Sequence, residues 1–334
     1  DDLLTQNEGY NLSWKLTKRQ FTMKQSLSYS RYLLRYEFTH KENDTTSTSS
    51  KKNLIDDLSY RLGISVPLGN VQELHSGYEL NRNHTRYAFE DFGDSYHLIL
   101  DQDDRVMLVH SPFVEYTYSG KRLNASAGLR GNYYNTFNRF YLEPRVNLSW
   151  LLFNPLQLTA SGEYRTQHIS QIKESVVSDL SLENQVWKLA SKERFPIIES
   201  YQVTSGLVYR KSGWFLEVEG YYKSIEGVTS LTFGFLNPVD NDYRTGNSTV
   251  KGLDAFLKKQ WGYYKSWVSY SYLNTQNTFI GLNNDEPFPG NWNIRHLVNW
   301  SHFYTVGQLH LSVGWNWHTG KSYTQISQSE EPAG

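Results

Sequence analysis

The feature that most constrains this chain is an alternation of apolar and polar residues with period two, sustained over ten or more residues at a time. Leu123, Ala125, Ala127, Leu129 and Gly131 interleave with Asn124, Ser126, Gly128 and Arg130. Phe140, Leu142, Pro144, Val146, Leu148 and Trp150 face Tyr141, Glu143, Arg145, Asn147 and Ser149 in the same way. Leu156 to Arg165, Leu58 to Val66 and Leu309 to His318 repeat the pattern. Successive strand residues point to opposite faces, so each run describes a strand with one apolar and one polar side. Strands of soluble proteins usually have about five or six residues, whereas a tilted membrane-crossing strand needs ~9–11. About fourteen such strands are expected, near 8–17, 20–38, 54–66, 71–87, 105–118, 122–134, 140–151, 156–167, 198–210, 214–225, 249–260, 263–278, 294–304 and 309–320. Two of them read ambiguously. Trp267 and Tyr270 fall on opposite faces, as do Arg295 and His296.

The connections show a second regularity. Short turns at 17–20, 67–70, 119–122, 151–155, 210–213, 261–264 and 305–308 alternate with mostly longer segments at 39–53, 81–104, 135–139, 168–197, 226–248 and 279–293. In an up-and-down antiparallel barrel every second connection lies at the same rim, and short periplasmic turns opposite long extracellular loops mark outer-membrane barrels. The expected fold is therefore all-β, a transmembrane antiparallel up-and-down barrel.

Composition fits that reading and little else. Hydrophobic residues make up only 38% of the 334, yet 15% are aromatic, with Tyr 25, Phe 16 and Trp 10. The chain is too polar for an ordinary core and too aromatic for disorder. A barrel resolves the conflict: one face meets lipid, the other water, and aromatic rings gather at both rims. Trp14, Trp150, Trp261 and Tyr304, each near a short turn, suit the periplasmic girdle. No apolar run approaches the ~20 residues of a membrane helix. A soluble sandwich or propeller has shorter strands and more even turns. The net charge of −1 offers no field for nucleic acid. With no cysteine, disulfides and thiolate sites are excluded. The first ten residues, DDLLTQNEGY, lack the basic start and apolar core of a signal peptide, so either an export signal has been removed or the chain begins inside a longer one.

The stretch 247–324 carries a family resemblance. A Gly-containing strand ends in a Lys-Lys pair (Gly252 to Lys259), and a short turn leads into Ser266-Trp-Val-Ser-Tyr270. A loop ends at Arg295-His296, and a strand closes with Thr319-Gly-Lys-Ser-Tyr-Thr324. Phe140 to Trp150 and Leu216 to Val228 fit the same pattern. Together these segments resemble the barrel of Bacteroidetes-type TonB-dependent outer-membrane transporters, most strongly from Lys121 onward and only weakly before Gly69. The resemblance implies a 22-stranded barrel filled by a plug domain. On that basis residues 1–334 are expected to be a partial barrel domain, central and C-terminal, without the plug and the last strands.

The resemblance further implies capture of a scarce solute at extracellular loops and import driven by the TonB complex acting through the plug. The implied partners are that complex, outer-membrane lipid, a surface lipoprotein and a small-molecule or oligomeric substrate. The alternative reading is a barrel that no longer transports and serves as a binding or scaffold subunit of a surface complex. A complete passive channel of fourteen strands is the third.

Site residues are expected in two groups. Tyr87, Phe92, Tyr96 and His97 (with Phe89 nearby) in segment 81–104, and Trp292 in 283–293, could cup a solute with aromatic faces. Glu143, Arg145, Glu163, Arg165, Glu217 and Glu219 share the lumen phase of their strands, as a polar path or as a charge ladder that solvates the wall. Segment 168–197 has a roughly helical spacing of Leu180, Leu182, Val186 and Leu189. No nucleophile constellation, zinc motif or phosphate loop is present, and His302, His310 and His318 fall on different strands or heights. The chain therefore reads as a non-enzyme that needs neither cofactor nor metal.

Overall fold

A computed structural model describes residues 2–18, 21–42, 45–173, 185–231, 243–290 and 293–321. The strands in chain order are β1 (Asp2–Lys18), β2 (Phe21–Glu42), β3 (Thr45–Pro67), β4 (Gln72–Gly93), β5 (Tyr96–Ser119), β6 (Leu123–Tyr134), β7 (Arg139–Phe153), β8 (Leu156–Gln167), β9 (Ile169–Lys173), β10 (Gln185–Leu189), β11 (Ile198–Lys211), β12 (Trp214–Leu231), β13 (Tyr243–Trp261), β14 (Tyr264–Phe279), β15 (Phe288–Pro289), β16 (His296–Val306) and β17 (Leu309–His318). One antiparallel sheet runs β1-β2-β3-β4-β5-β6-β7-β8-β11-β12-β13-β14-β16-β17, with β15 off the path on β14. A separate hairpin pairs β9 with β10. Every neighbour on the main path is also the next long strand in sequence, which is the up-and-down order.

The two faces differ as the alternation requires. On β17, Leu309, Leu311, Val313, Trp315 and Trp317 share one face. Their register partners on β16 are Val306, Tyr304, His302, Trp300 and Val298, so one apolar stripe crosses both strands. Likewise Leu142, Val146 and Trp150 of β7 stand about half exposed, whereas Glu143 on the opposite face is buried. An apolar face left open beside a covered polar face is the inverse of a soluble core and matches lipid outside, lumen inside. The expected girdle tryptophans Trp14, Trp150 and Trp261 are exposed at the short-turn end, joined there by Trp214, whose ring lies 5.8 Å from that of Trp261. A second set of tyrosines sits higher: the exposed Tyr10 pairs with Tyr29, and the exposed Tyr201 with Tyr164, which also packs against buried side chains of the wall. About eight residues of strand at ~3.3 Å each, tilted by ~40°, place this set roughly 20 Å above the turns, close to the height of an outer-membrane apolar band.

The ambiguous strand 263–278 resolves as β14. Tyr270 shares the outward phase with Ala255, while Trp267 pairs with Lys258 on the lumen side. There Trp267 packs at 5.8 Å on Phe256, itself 5.8 Å from Phe215. The rings on both faces have different tasks, one set toward lipid and the other within the lumen. Gly252 has a similar explanation. It pairs with Tyr221 on β12, and the Tyr221 ring lies over the glycine where a side chain would stand. Gly252→Val should cost about 1–3 kcal/mol through that displaced ring, read as a lower unfolding temperature in detergent by heat-modified gel mobility.

The long connections are where the expectation fails. Segment 81–104 is not a loop: β4 runs to Gly93 and β5 begins at Tyr96. Tyr87, Phe92, Tyr96 and His97 accordingly lie on strand extensions. Segment 39–53 is largely strand as well, and β12 and β13 take up much of 226–248. These extensions rise above the lipid band, so neither face needs to be apolar and the period-two signal disappears. β12 passes a bulge between Glu226 and Val228, made by Gly227 at φ +79°. Val186 and Leu189, read as part of a helical spacing, belong to strand β10; Leu180 and Leu182 lie outside the described residues.

Candidate functional site

The lumen wall carries a polar network where β7 and β8 part. Their register runs from Phe153↔Leu156 to Arg145↔Glu163 and goes no higher, while β8 continues along β11 to Gln167↔Ile198. At the fork the buried Glu143 carboxylate replaces the missing ladder. Its Oε1 accepts the Thr166 backbone N–H, the Thr166 hydroxyl and Asn132 Nδ2, each at 2.6 Å. Asn132 in turn accepts from Ser111 Oγ at 2.7 Å and Arg130 Nε at 3.0 Å, and Arg130 reaches Glu79 at 3.0 Å. Arg145 lies 3.3 Å from Glu143, and Arg165 lies 2.7 Å from Glu163. The structure thus brings Glu143, Arg145, Glu163 and Arg165 together as one patch, and leaves Glu217 and Glu219 apart on β12.

Glu143 acts as a structural acceptor of main-chain and side-chain donors at this fork. Glu143→Ala should destabilise by about 2–4 kcal/mol, since it strands buried donors. Glu143→Gln, which keeps an acceptor oxygen, should lose less than half as much in urea unfolding.

Lower on the same face, β1–β4 line a cavity of about 610 Å³ with Lys15, Lys24, Arg61 and His75 among its walls. Arg61 also stacks over Phe113, 5.5 Å from the ring centre.

The most elaborate constellation is at the upper end of the wall. The described parts of the segment between β8 and β11, residues 168–173 and 185–197, fold onto the lumen face of β3, β4 and β5. Asn53 on β3 receives β10 as an extra strand would: its Nδ2 donates to the Trp187 carbonyl at 3.0 Å, and its Oδ1 accepts the Trp187 N–H at 2.8 Å. His168 pairs with Asn83 of β4 at 2.7 Å. Lys188, the residue after Trp187, is fully buried. Its Nζ lies 3.8 Å from the ring centre of Tyr87, 3.7 Å from Tyr243, 4.7 Å from Phe195 and 5.7 Å from Phe89.

Asp101 of β5 completes the cluster, 3.5 Å from Lys188 Nζ. It also accepts Tyr87 OH at 3.1 Å, Tyr243 OH at 3.0 Å and Arg194 at 3.0 Å, and Lys188 donates to the Tyr243 hydroxyl. Burial pushes the Lys188 ammonium down to about 6, against the pull of Asp101. The Tyr87 and Tyr243 hydroxyls are pushed up by burial together with the nearby Asp101 charge. A second group of buried side chains, Met107, Val109, Tyr134, Tyr141, Leu189, Ala190 and Ile197, packs the returning segment onto the wall. Beside it opens a cleft of about 400 Å³ lined by Arg139, Tyr141, Lys192, Arg194 and Glu199, in which the Arg139 guanidinium stacks 5.0 Å from the Tyr141 ring.

Of the aromatic residues expected at a site, Tyr87 enters this cluster. Phe92 and His97 meet each other edge-on at 6.1 Å near the strand tips, with Tyr96 donating to Asp91 at 3.4 Å. Trp292 lies outside the described residues. The residues that sequence reasoning missed are Asn53, Asp101, Lys188, Phe195 and Tyr243. The hydrogen bond from Asn53 to Trp187 spans 134 residues of chain, so no local pattern announces it. No group of three or more metal-ligating side chains occurs among the described residues.

An antiparallel wall with lipid-facing apolar strands, aromatic rings at two heights and an inward-folded segment at its upper end defines an integral outer-membrane β-barrel protein. The chain belongs to the TonB-dependent receptor-like β-barrel family, whose description ("TonB dependent receptor-like, beta-barrel") matches residues 1–333. It resides in the bacterial outer membrane, as that family does. Solved structures similar to it include the copper transporter OprC, at 14% identity and TM-score 0.67, covering 93% of this chain and 52% of that one. The ferric citrate transporter FecA in its unliganded form is similar at 11% identity and TM-score 0.64, covering 96% and 50%. The RagAB peptide transporter matches at 11% and 0.59, covering 96% and 48%. At these identities the likeness is one of fold, and the chain spans about half the length of each. Comparison by sequence with curated proteins finds no match.

Proposed function

We propose that this chain is wall and vestibule of a TonB-dependent transporter that captures a scarce solute above the membrane and imports it with energy delivered by TonB. The observation that carries the reading is the pair of inward-folded stretches 169–173 and 185–197, which set the aromatic cluster and the 400 Å³ cleft against the upper end of the lumen wall, where a solute would first be held. Family membership supports it, as do the transporter names of the similar structures. The edge strands β1 and β17 each pair on one side only among the described residues. A bilayer tolerates no open sheet edge, so the wall is closed by further strands, in keeping with a 22-stranded barrel around a plug. The motifs of 247–324 and the likeness to the RagAB peptide transporter support a Bacteroidetes-type member with a surface lipoprotein partner.

We assign solute contact to the cleft and its rim, with Tyr87 inside the buried cluster and Phe92, Tyr96 and His97 nearer the strand tips; Trp292 is assigned from the sequence alone. On the lumen face Arg145, Glu163 and Arg165, and apart from them Glu217 and Glu219, serve mainly to solvate the wall, while the buried Glu143 holds the fork between β7 and β8. The test is growth of a strain carrying the complete gene on candidate solutes at limiting concentration. Growth that requires both this gene and an intact TonB complex is the expected result. Uptake that persists without TonB points to a passive channel, and solute binding without any uptake points to a scaffold subunit.

A further inference from the structure

Lys188 reaches its site from a segment that the main sheet does not need, and the site around it is built from elsewhere. Tyr87 and Phe89 come from β4, Asp101 from β5, Tyr243 from β13 and Phe195 from the return to β11. Four rings around one nitrogen, at 3.7 to 5.7 Å, with the Asp101 carboxylate 3.5 Å away, form an aromatic cage of the kind that takes ammonium groups by cation–π attraction. The cage lies among the residues that line the vestibule, and Arg194 belongs both to the cleft and to the Asp101 cluster. A lysine is an awkward occupant. Its N–H donors need partners but, stripped of water, find only the Asp101 carboxylate and the Tyr243 hydroxyl, and burial drives its proton off. An alkylammonium whose charge is spread over methyl groups has no such need.

We propose that the pocket formed by Tyr87, Phe89, Phe195 and Tyr243 beside Asp101 is a subsite for an alkylammonium group of the solute, with Lys188 as the chain's own displaceable occupant. The inference rests on the transporter reading and gives its solute a chemical class, an amine-bearing or quaternary-ammonium compound. It also ties recognition to movement. A cation that enters the cage expels Lys188 and loosens β10, which the Asn53 amide, the pairing with β9 and the packing of Val186 and Leu189 then hold without it.

The test uses the complete protein in detergent micelles with n-butyltrimethylammonium as probe and 1-butanol as its uncharged control. Lys188→Ala empties the cage and should bind the probe at least tenfold tighter than the unaltered protein, by calorimetry. Adding Asp101→Asn to that variant should remove the gain. Where Lys188→Ala lets the cage collapse, the unaltered protein supplies the second measurement: saturating probe should speed hydrogen exchange across Gln185–Leu189, and butanol should not. Equal binding by both proteins with no change in exchange overturns the proposal, as does a probe effect that butanol reproduces. These readouts require no TonB and no uptake. A failed cage therefore leaves the transporter reading standing, and a failed uptake assay leaves the cage to be judged by binding.

Discussion

Val146→Arg should lower the unfolding free energy by ~2–4 kcal/mol, while Asn147→Arg, one residue away, should be tolerated. Val146 stands 53% exposed on the apolar face, paired with Ala127 of β6 and Gly162 of β8, between the Trp150 level and the upper tyrosines. In water such a residue would accept a charge at almost no cost. In the apolar band it can only drag its guanidinium toward a distant interface or admit a water defect. Asn147 points to the opposite side, where its Nδ2 donates to Ser126 Oγ at 3.2 Å in a wet lumen. Leu148→Arg and Ala127→Arg should behave like Val146→Arg, less severely nearer the rim. Reversible urea unfolding in lipid or detergent measures the difference, and equal damage from Val146→Arg and Asn147→Arg would refute the facing of the wall.

The second large effect is expected at Asp101. Its carboxylate is 9% exposed and serves Tyr87, Tyr243, Arg194 and Lys188 together. Asp101→Ala leaves buried donors facing nothing, and docking of the inward segment should weaken by ~3–5 kcal/mol. Faster hydrogen exchange across Gln185–Leu189 with an intact barrel is the signature. Loss of the whole barrel would instead show that the segment is integral to the wall.

The same docking should depend on pH with a definite sign. In the released segment Lys188 titrates near its ordinary value of about 10.4, whereas docked it is pushed down to about 6. Asp101, Asp103, Arg194, Tyr87 and Tyr243 are the charged and titratable groups that act on it. The docked form thus binds fewer protons between these values. Docking weakens as pH falls from about 10 toward 6 and changes no further through Lys188 below that. Exchange rates corrected for their intrinsic pH dependence would show it, and docking that tightens toward pH 6 would contradict it.

The membrane-crossing part of the fold was readable because lipid imposes a rule on every second residue. Strand β8 and the run Leu309 to Trp317 could be bounded almost to the residue, and the paired phases of Glu143/Arg145 and Glu163/Arg165 put them on one lumen patch. Above the lipid that rule lapses. Thr45 to Asn53 and Arg82 to Arg86 carry polar side chains on both faces, so strands look like loops there. What shaped the candidate site was contact across the chain: Lys188 with Tyr87, Asp101 with Tyr243, Asn53 with Trp187. Each partner is unremarkable among its neighbours in sequence. The cluster exists only because β3 to β5 overreach the bilayer and give the returning segment a surface to lie on.

That overreach sets where the outside world first meets the protein. Beyond Leu80, β4 continues to Gly93. About a dozen residues at ~3.3 Å each, tilted by ~40°, raise a rigid parapet of roughly 30 Å over the lipid surface. A solute arriving at the cell meets this wall of hydrogen-bonded backbone well before the headgroups, and the capture surface stands clear of whatever coats the lipid. A protein built this way fishes above its membrane rather than at it.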